Sequence, residues 1–331
     1  MFIYGPVPSW RFGFSLGVDL IGNVKTCSFN CIYCQLGSTV RFLYQPKFLD
    51  GMPTPDDVER QLKEYLRKID VSSINVVTFS GEGEPTLNPH IHSICKTVRK
   101  VMGGKFPIVL LTNSSTIYID EVFESLKLFD IICFKLDAID DKLFRAINRP
   151  HPKVPSISTI INRIKEFRES YTGKLAIQIM LLETTFSKMN SSPGYINLFV
   201  KALDSIAPDI IQVSTPYRPP AEKYVKPVSY ETLRMVNDIF SHHFRKESVW
   251  VYGIHEEKIG KPILESSAEL EEFILEILRR RPCTLQDICS VTGRNIDEVI
   301  TVLNKLLTGK LVIKVKVKDK FFYRAFTSRK E

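Results

Sequence analysis

The order of short apolar runs constrains the fold of this 331-residue chain more than any other feature. Six runs stand out, at 13–20, 74–80, 107–112, 131–136, 176–182 and 209–215. Helical patterns lie between them, near 55–69, 89–102, 119–127, 140–147, 156–170 and 192–206. Apolar runs that alternate with helices are typical of a parallel sheet covered on both faces. The pattern predicts an α/β fold, a partial (β/α)6 barrel that a helix at 230–243 and a strand at 248–252 complete.

The first run leads into a loop with three cysteines, Cys27, Cys31 and Cys34, at C-x3-C-x2-C spacing. We call residues 27–34 the cysteine loop. Thiolates hold iron–sulfur clusters, and a cubane with three protein ligands leaves one iron open for chemistry. Half of a structural zinc site and inert thiols are the alternatives. Because α/β barrels carry active sites beyond the C-terminal ends of their strands, this position favours a reactive cluster.

Composition limits the compartment and the partners. We find no apolar run of about 18 residues and no signal-peptide pattern, so we expect no membrane span. Seven cysteines, odd in number and partly clustered, favour a reducing compartment and a cytoplasmic location. A formal net charge of +8 is compatible with a nucleic-acid partner but does not establish one.

Polar residues follow the later runs, at the same end of the predicted barrel. Gly83 lets the backbone approach a ligand, and Glu84 can accept hydrogen bonds from an ammonium group. Asn113 suits contact with ribose hydroxyls, or only the start of the next helix. Lys135 and Asp137 alternate and so share a face, which indicates either ligand contact or a structural ion pair.

Two basic loops reach the same end of the barrel. They contain Arg145 and Arg149 in one loop and Arg218 in the other. Guanidinium groups bind carboxylates and phosphates through two parallel hydrogen bonds, so these arginines are candidates for substrate contact. Solvated loops without a ligand are the alternative.

The cysteine loop resembles the C-x3-C-x-aromatic-C signature of the radical S-adenosylmethionine (SAM) enzymes, with Tyr33 at the aromatic position. The resemblance implies a TIM-type partial barrel and a [4Fe-4S] cluster on the three cysteines. It also implies that SAM chelates the open iron, and that an electron from a ferredoxin or flavodoxin cleaves SAM to a 5′-deoxyadenosyl radical.

The resemblance also assigns roles to residues outside the cysteines. Gly83 and Glu84 match the Gly-Gly-Glu-Pro motif that holds the SAM amino group, although Glu82 replaces the first glycine. Tyr33, Asn113 and Asp137 are the other expected SAM contacts.

Flanking segments resemble the radical SAM subgroup related to wyosine-forming tRNA enzymes. The likeness covers about residues 1–252 and includes 5–9, 15–19, 83–86, 136–138, 147–150 and 215–220. Wyosine-forming enzymes carry a second cluster on cysteines upstream of the signature, but no cysteine precedes Cys27 here. We therefore expect a different reaction, with tRNA or another RNA among the possible substrates.

The remainder of the chain is different in kind. Residues 253–267 read as a linker, and 268–331 predict a winged helix. Its expected elements are a helix at 268–281, a short helix from Thr284 to Gly293, a third from Asn295 to Gly309, and strands at 311–317 and 321–326.

The first of these strands carries a row of lysines, Lys314, Lys316 and Lys318, which alternate with apolar residues. Such a row suits contact with phosphates, docking of an acidic protein, or protection of an exposed strand edge. The third helix begins with Asp297 and Glu298, which does not favour DNA recognition through its first turn.

These observations together predict a radical SAM enzyme that modifies a macromolecule, with RNA favoured and the winged helix as the docking part. A polypeptide or a small metabolite is the alternative substrate. An iron–sulfur sensor that binds DNA without chemistry is the alternative outside the enzymes.

Overall fold

Apolar strands of the first 251 residues form a curled sheet that positions the cysteine loop. The computed structural model describes residues 1–255, 270–317 and 319–326. In these residues the sheet has eight strands, in the order β1-β2-β5-β6-β7-β8-β10-β12. In chain order the strands are β1 (Ile3–Ser9), β2 (Gly13–Val18), β3 (Thr26–Cys27), β4 (Arg41–Phe42), β5 (Val76–Phe79), β6 (Ile108–Thr112), β7 (Ile131–Lys135), β8 (Lys174–Met180), β9 (Leu182–Thr184), β10 (Ile210–Ser214), β11 (Val225–Pro227), β12 (Val249–Val251), β13 (Val312–Val317) and β14 (Lys320–Ala325).

Ten helices accompany the strands in the described residues, and several of them begin where the sequence supplies caps. They are α1 (Pro55–Tyr65), α2 (Ile91–Val101), α3 (Asp120–Leu126), α4 (Asp141–Asn148), α5 (Ile157–Ser170), α6 (Pro193–Ile206), α7 (Tyr230–His243), α8 (Leu270–Arg280), α9 (Leu285–Thr292) and α10 (Ile296–Thr308). Side chains of Ser156, Ser192 and Ser229 accept hydrogen bonds from the first turns of α5, α6 and α7. Such caps satisfy backbone donors that the helix itself leaves unpaired. None of the helices in the described ranges is long and apolar enough to cross a membrane.

The partial-barrel prediction is confirmed: the sheet is a curled half-barrel whose strands from β2 onward pair in parallel. All six predicted strands are present, with ends one to two residues shorter or longer than expected.

Strand β1 was not predicted. It pairs antiparallel with β2 at the edge of the sheet, and its register shifts between Tyr4 and Val7. Pro6 and Pro8 argued against a strand there, but a proline can be accommodated at an edge because no neighbouring strand requires its missing N–H group.

Aromatic side chains bring the two ends of the curled sheet together. Trp10 and Phe12, in the turn between β1 and β2, contact Tyr252 and Trp250 at the end of β12, with ring centroids 5.8 and 6.0 Å apart. The two edge strands of the half-barrel are therefore in contact through these side chains.

The C-terminal module, here residues 270–317 and 319–326, contains α8, α9, α10 and the antiparallel hairpin β13–β14. This element order matches the predicted one, while the assignment as a winged helix stays a prediction. Helices α8 and α9 pack against β1, so the module is joined to the half-barrel through the first strand. Of the predicted linker, residues 256–267 lie outside the described residues.

Candidate functional site

The cysteine loop is held in place by the end of α4. The backbone N–H of Asn30 donates to the carbonyl of Asn148 at 3.0 Å, and that of Ile32 donates to Ile147 at 3.0 Å. The N–H of His151 donates in turn to the carbonyl of Ser28 at 2.8 Å. These bonds run in both directions, so the loop and the end of α4 form one rigid unit.

Each of the three sulfurs accepts a hydrogen bond from a side chain of another residue. The pairs are Asn113 Nδ2 to Cys27 Sγ at 3.5 Å, Asn148 Nδ2 to Cys31 Sγ at 3.5 Å, and Lys25 Nζ to Cys34 Sγ at 3.2 Å. Donors aimed at sulfur stabilise thiolate and are one of the ways in which proteins set cluster potentials. The three cysteines thus have the surroundings that a cluster requires.

Lys25 was not singled out from the sequence, although it lies two residues before the first cysteine. Its side chain is 2% exposed, and its ammonium group also donates to the carbonyl of Gly37. Burial opposes the charged form, but the nearby Cys34 and Cys27 sulfurs outweigh it and raise the pKa of Lys25. A buried positive charge therefore lies directly beside the sulfurs.

Two thiols of the loop, those of Cys27 and Cys31, are protonated when no metal is bound. Burial raises the pKa of Cys27 to about 12 and that of Cys31 to about 11. Among the described residues, no three His, Cys, Asp or Glu side chains are grouped as ligands of a single metal ion. A cluster places each cysteine on a different iron, so its ligands do not need that grouping. The donor set therefore fits an iron–sulfur cluster.

Glu84 is a buried centre of hydrogen bonding at the ends of two neighbouring strands. Its carboxylate accepts from Thr86 Oγ1 at 2.7 Å, Thr112 Oγ1 at 2.7 Å and the backbone N–H of Asn113 at 2.6 Å. The side chain thus joins the segment after β5 to the end of β6. Through Asn113, which donates to Ser28 Oγ at 2.9 Å, the connection reaches the cysteine loop.

On the other side of the cysteine loop, Asp137 likewise connects separate segments through hydrogen bonds to its carboxylate. Its carboxylate accepts from Tyr33 Oη at 2.5 Å and Asn148 Nδ2 at 2.8 Å, and lies 3.3 Å from Lys135 Nζ. Lys135 and Asp137 thus form the ion pair that was one of the two alternatives for them, and the SAM contact of Asp137 stays a prediction. Burial raises the pKa of Tyr33 well above its ordinary value, so its hydroxyl keeps the proton that it donates.

Gly83 lies where no other residue fits. A Cβ atom at this position would be 1.8 Å from the carbonyl oxygen of Thr26, one residue before Cys27. The backbone N–H of Glu84 donates to that same carbonyl at 3.1 Å. The close approach predicted for this glycine is thus an approach to the cysteine loop itself.

The three arginines of the basic loops have different surroundings. Arg145 is exposed on α4, Arg149 Nη1 donates to Glu222 Oε1 at 2.5 Å, and Arg218 Nη1 donates to Gln35 Oε1 at 3.0 Å. Arg218 therefore reaches the residue that follows Cys34, whereas Arg149 already has a carboxylate partner.

The lysine row lies in the C-terminal module. Lys314 and Lys316 are exposed, and each Nζ lies over the ring of Phe321, at 4.3 and 5.7 Å from its centroid. Phe321 itself is 47% exposed. Lys318, the third member, lies outside the described residues.

Comparison with known proteins identifies the class. Residues 24–187 match the model of the radical SAM superfamily, which covers the cysteine loop, Glu84 and Asp137. Together with the half-barrel, this match defines an enzyme of the radical SAM type, a superfamily that implies SAM and an iron–sulfur cluster.

The full-length relatives identify the family. A UPF0026 protein of Methanocaldococcus jannaschii is 31% identical over 321 residues, covering 97% of this chain and 94% of its own length. A UPF0026 protein of Helicobacter pylori is 30% identical over 330 residues, covering 98% and 97%. The chain belongs to the UPF0026 family.

Solved structures share the fold. TYW1 with a lysine–pyruvate adduct bound gives a TM-score of 0.51 at 16% identity, over 70% of this chain and 74% of that one. Streptococcus suis SuiB bound to S-adenosylmethionine gives 0.50 at 18% identity, over 70% of this chain and 49% of that one. At such identities the likeness concerns the half-barrel alone.

Proposed function

We propose that this protein is a radical SAM enzyme that carries a [4Fe-4S] cluster on Cys27, Cys31 and Cys34 and modifies RNA, with tRNA the favoured substrate. The observation that supports the cluster most directly is that each sulfur has its own hydrogen-bond donor, from Asn113, Asn148 or Lys25. When bound, the reduced cluster supplies the electron that cleaves SAM to a 5′-deoxyadenosyl radical, which abstracts a hydrogen atom from the substrate.

In this proposal the chain's own residues hold the cofactors in place and do not react. Glu84 uses its carboxylate to fix Asn113 and Thr112, so the contact with the SAM amino group falls to the backbone around Gly83. Asp137 fixes Tyr33 from the opposite side. The network prevents the loop from shifting when charge on the cluster changes.

Lys314, Lys316 and Phe321 support RNA as the substrate. They present two ammonium groups and one exposed aromatic ring on the same face of β13–β14. Lysines bind the phosphate backbone without regard to sequence, and aromatic rings stack on unpaired bases. Single-stranded RNA loops offer both features at once.

The chemistry is tested by SAM cleavage in the Cys31→Ala variant. We expect cleavage to be abolished while the far-ultraviolet circular dichroism stays that of the folded protein. Cys289→Ala, in α9 and outside the cysteine loop, is the matched control and should cleave SAM normally. Cleavage by Cys31→Ala would refute the ligand assignment.

The substrate is tested by the salt dependence of tRNA binding. We expect the double variant Lys314→Gln/Lys316→Gln to lower the magnitude of the slope of log K against log salt by about 1.4 to 1.8, since each phosphate contact contributes about 0.7 to 0.9. Lys96→Gln/Lys201→Gln removes the same charge from exposed positions on α2 and α6 and should leave the slope nearly unchanged. If the two double variants gave the same slope, RNA would be rejected as the substrate in favour of a polypeptide or a small metabolite.

A further inference from the structure

A cavity of about 160 Å³ lies on the inner side of the half-barrel, where β1, the loop after β10 and the C-terminal module meet. Its charged lining residues are four arginines and one carboxylate. They are Arg11, Arg218, Arg280, Arg281 and Asp287. Such an excess of one charge inside a fold requires an explanation, since buried charges are costly unless they are paired.

Only one of the four arginines is neutralised by the described residues around it. Arg280 Nε donates to Asp19 Oδ2 at 3.2 Å, and its Nη1 donates to Glu276 Oε2 at 2.5 Å. Arg218 donates to the Gln35 side chain at 3.0 Å and Arg281 to the Pro8 carbonyl at 2.9 Å, and both of these acceptors are neutral. Although burial opposes it, the nearby Cys283 and Asp287 groups raise the pKa of Arg281.

Of the four arginines, Arg11 has the fewest hydrogen-bond partners in the described ranges. In the described ranges its guanidinium group donates no hydrogen bond, and it lies 5.7 Å from the Trp10 ring centroid. The Nε atoms of Arg11, Arg218 and Arg281 are all buried without a partner there. Burial, together with the positive charges of Arg218 and Arg281, lowers the pKa of Arg11.

The carboxylate in the lining does not resolve this imbalance. Asp287 accepts from the backbone N–H of Thr284 at 2.8 Å as part of the cap of α9. Within the described residues it forms no ion pair with the cavity arginines. One carboxylate in any case does not balance three guanidinium groups.

We propose that this cavity binds an oxyanion, the phosphate or carboxylate group of the molecule on which the enzyme acts, between Arg11, Arg218 and Arg281. Guanidinium groups bind both oxyanions through paired N–H donors, and the side chains of these three arginines line the same cavity. The volume fits such a group with a few further atoms, so the cavity would take a single phosphate or carboxylate group of the substrate and leave the rest of the molecule outside.

The position of the cavity connects it with the chemistry, and in this respect the inference rests on the proposed function. Gln35, the residue after the cysteine loop, and Gly81, two residues before Gly83, both belong to the lining. An anion held there would place the rest of its molecule beside the cluster and the SAM site.

The test uses full-length protein and isothermal titration with inorganic phosphate, then with acetate, at constant ionic strength set with chloride. We expect phosphate or acetate to bind the wild type, and Arg11→Met to weaken that binding at least tenfold. The preference between the two ions identifies which oxyanion the site takes. Arg60→Met, an exposed arginine of α1, is the control and should bind as the wild type does.

A second readout separates a ligand site from a structural arginine. Because Arg11 Nε is buried without a partner in the described residues, Arg11→Met should raise the melting temperature in chloride alone, yet lose the increase that the bound anion gives the wild type. A lower melting temperature in chloride with unchanged anion binding would overturn the inference, as would failure of both ions to bind the wild type. Neither measurement involves SAM, so their outcome is independent of the cleavage test.

Discussion

Replacing Arg280 by methionine tests how the C-terminal module is coupled to the SAM site. Arg280 and its partner Asp19 are 5% and 0% exposed, and Asp19 also accepts hydrogen bonds from the backbone N–H of Glu82 at 3.3 Å. A Cβ atom on Gly81 would be 2.1 Å from the Asp19 carboxylate, so the segment before Gly83 packs directly on this pair. The ion pair thus links α8 to the segment that precedes the proposed SAM contact.

The expected cost follows from what Arg280→Met leaves behind. Removing one partner of a buried ion pair costs about 3 to 5 kcal/mol, because the other charge stays buried. Glu276 retains a second partner in Arg279, whereas Asp19 retains only backbone donors among the residues that the structure describes. We therefore expect about 4 kcal/mol, which corresponds to about a 10³-fold increase in the equilibrium constant for opening this region.

Hydrogen exchange measured by mass spectrometry on the peptide 80–86 is the assay. In Arg280→Met the amide of Glu82 should exchange up to about 10³-fold faster, and SAM should bind more weakly at unchanged iron content. Burial raises the pKa of Asp19 in the wild type, and loss of Arg280 removes an opposing charge. In the folded variant the Asp19 carboxylate would then take up a proton more readily than in the unfolded chain. The loss of stability caused by Arg280→Met should therefore become smaller as the pH falls.

Arg279→Met provides the matched control, because Arg279 is half-exposed and pairs with Glu276 on the same helix. Partly exposed pairs contribute about 1 kcal/mol or less. If Arg280→Met had no larger effect than Arg279→Met on exchange and on SAM affinity, the proposed coupling would be refuted.

Three further predictions concern the cysteine loop. Lys25→Met removes a buried positive charge 3.2 Å from Cys34 Sγ, so the midpoint potential of the reconstituted cluster should become more negative by tens of millivolts in a redox titration. Gly83→Ala should prevent cluster assembly, measured as bound iron, because its Cβ atom would collide with Thr26, whereas Gly194→Ala on α6 meets no atom within 4 Å and should retain full iron content. Since burial keeps the Cys27 and Cys31 thiols protonated, reconstitution in weakly buffered solution should release their two protons per cluster in addition to those of the added hydrosulfide, and release from the hydrosulfide alone would contradict the raised pKa values.

The half-barrel could be predicted because its signals are local. Each parallel strand is a short apolar run between helices, and buried strands of this kind need no alternation of polar residues. Strand β1 escaped prediction because Pro6 and Pro8 lower strand propensity, and only its place at the sheet edge makes them acceptable.

The site could be predicted in part for the same reason. Cys27, Cys31 and Cys34 are close in sequence, and the pair of Lys135 and Asp137 follows from the alternation of a strand. These contacts are either local or fixed by the period of one element.

The contacts that join distant parts of the chain could not be predicted. Asp19 and Arg280 are 261 residues apart, and no pattern in either segment indicates the other. The same holds for Arg11 and Arg281, which become neighbours of one cavity only after the C-terminal module packs on β1. Asn148 lies in the segment 147–150, and nothing in that segment indicates that its amide donates to Cys31 Sγ and to Asp137.

Electron paramagnetic resonance of the anaerobically reconstituted, dithionite-reduced protein, recorded with and without SAM, tests the central claim most directly. A cluster held by three cysteines should give a reduced [4Fe-4S] signal that changes when SAM is added, because SAM binds the iron that has no protein ligand. A signal indifferent to SAM would contradict the open iron and favour an iron–sulfur sensor. Bound zinc in place of iron would contradict the assignment of the cysteine loop.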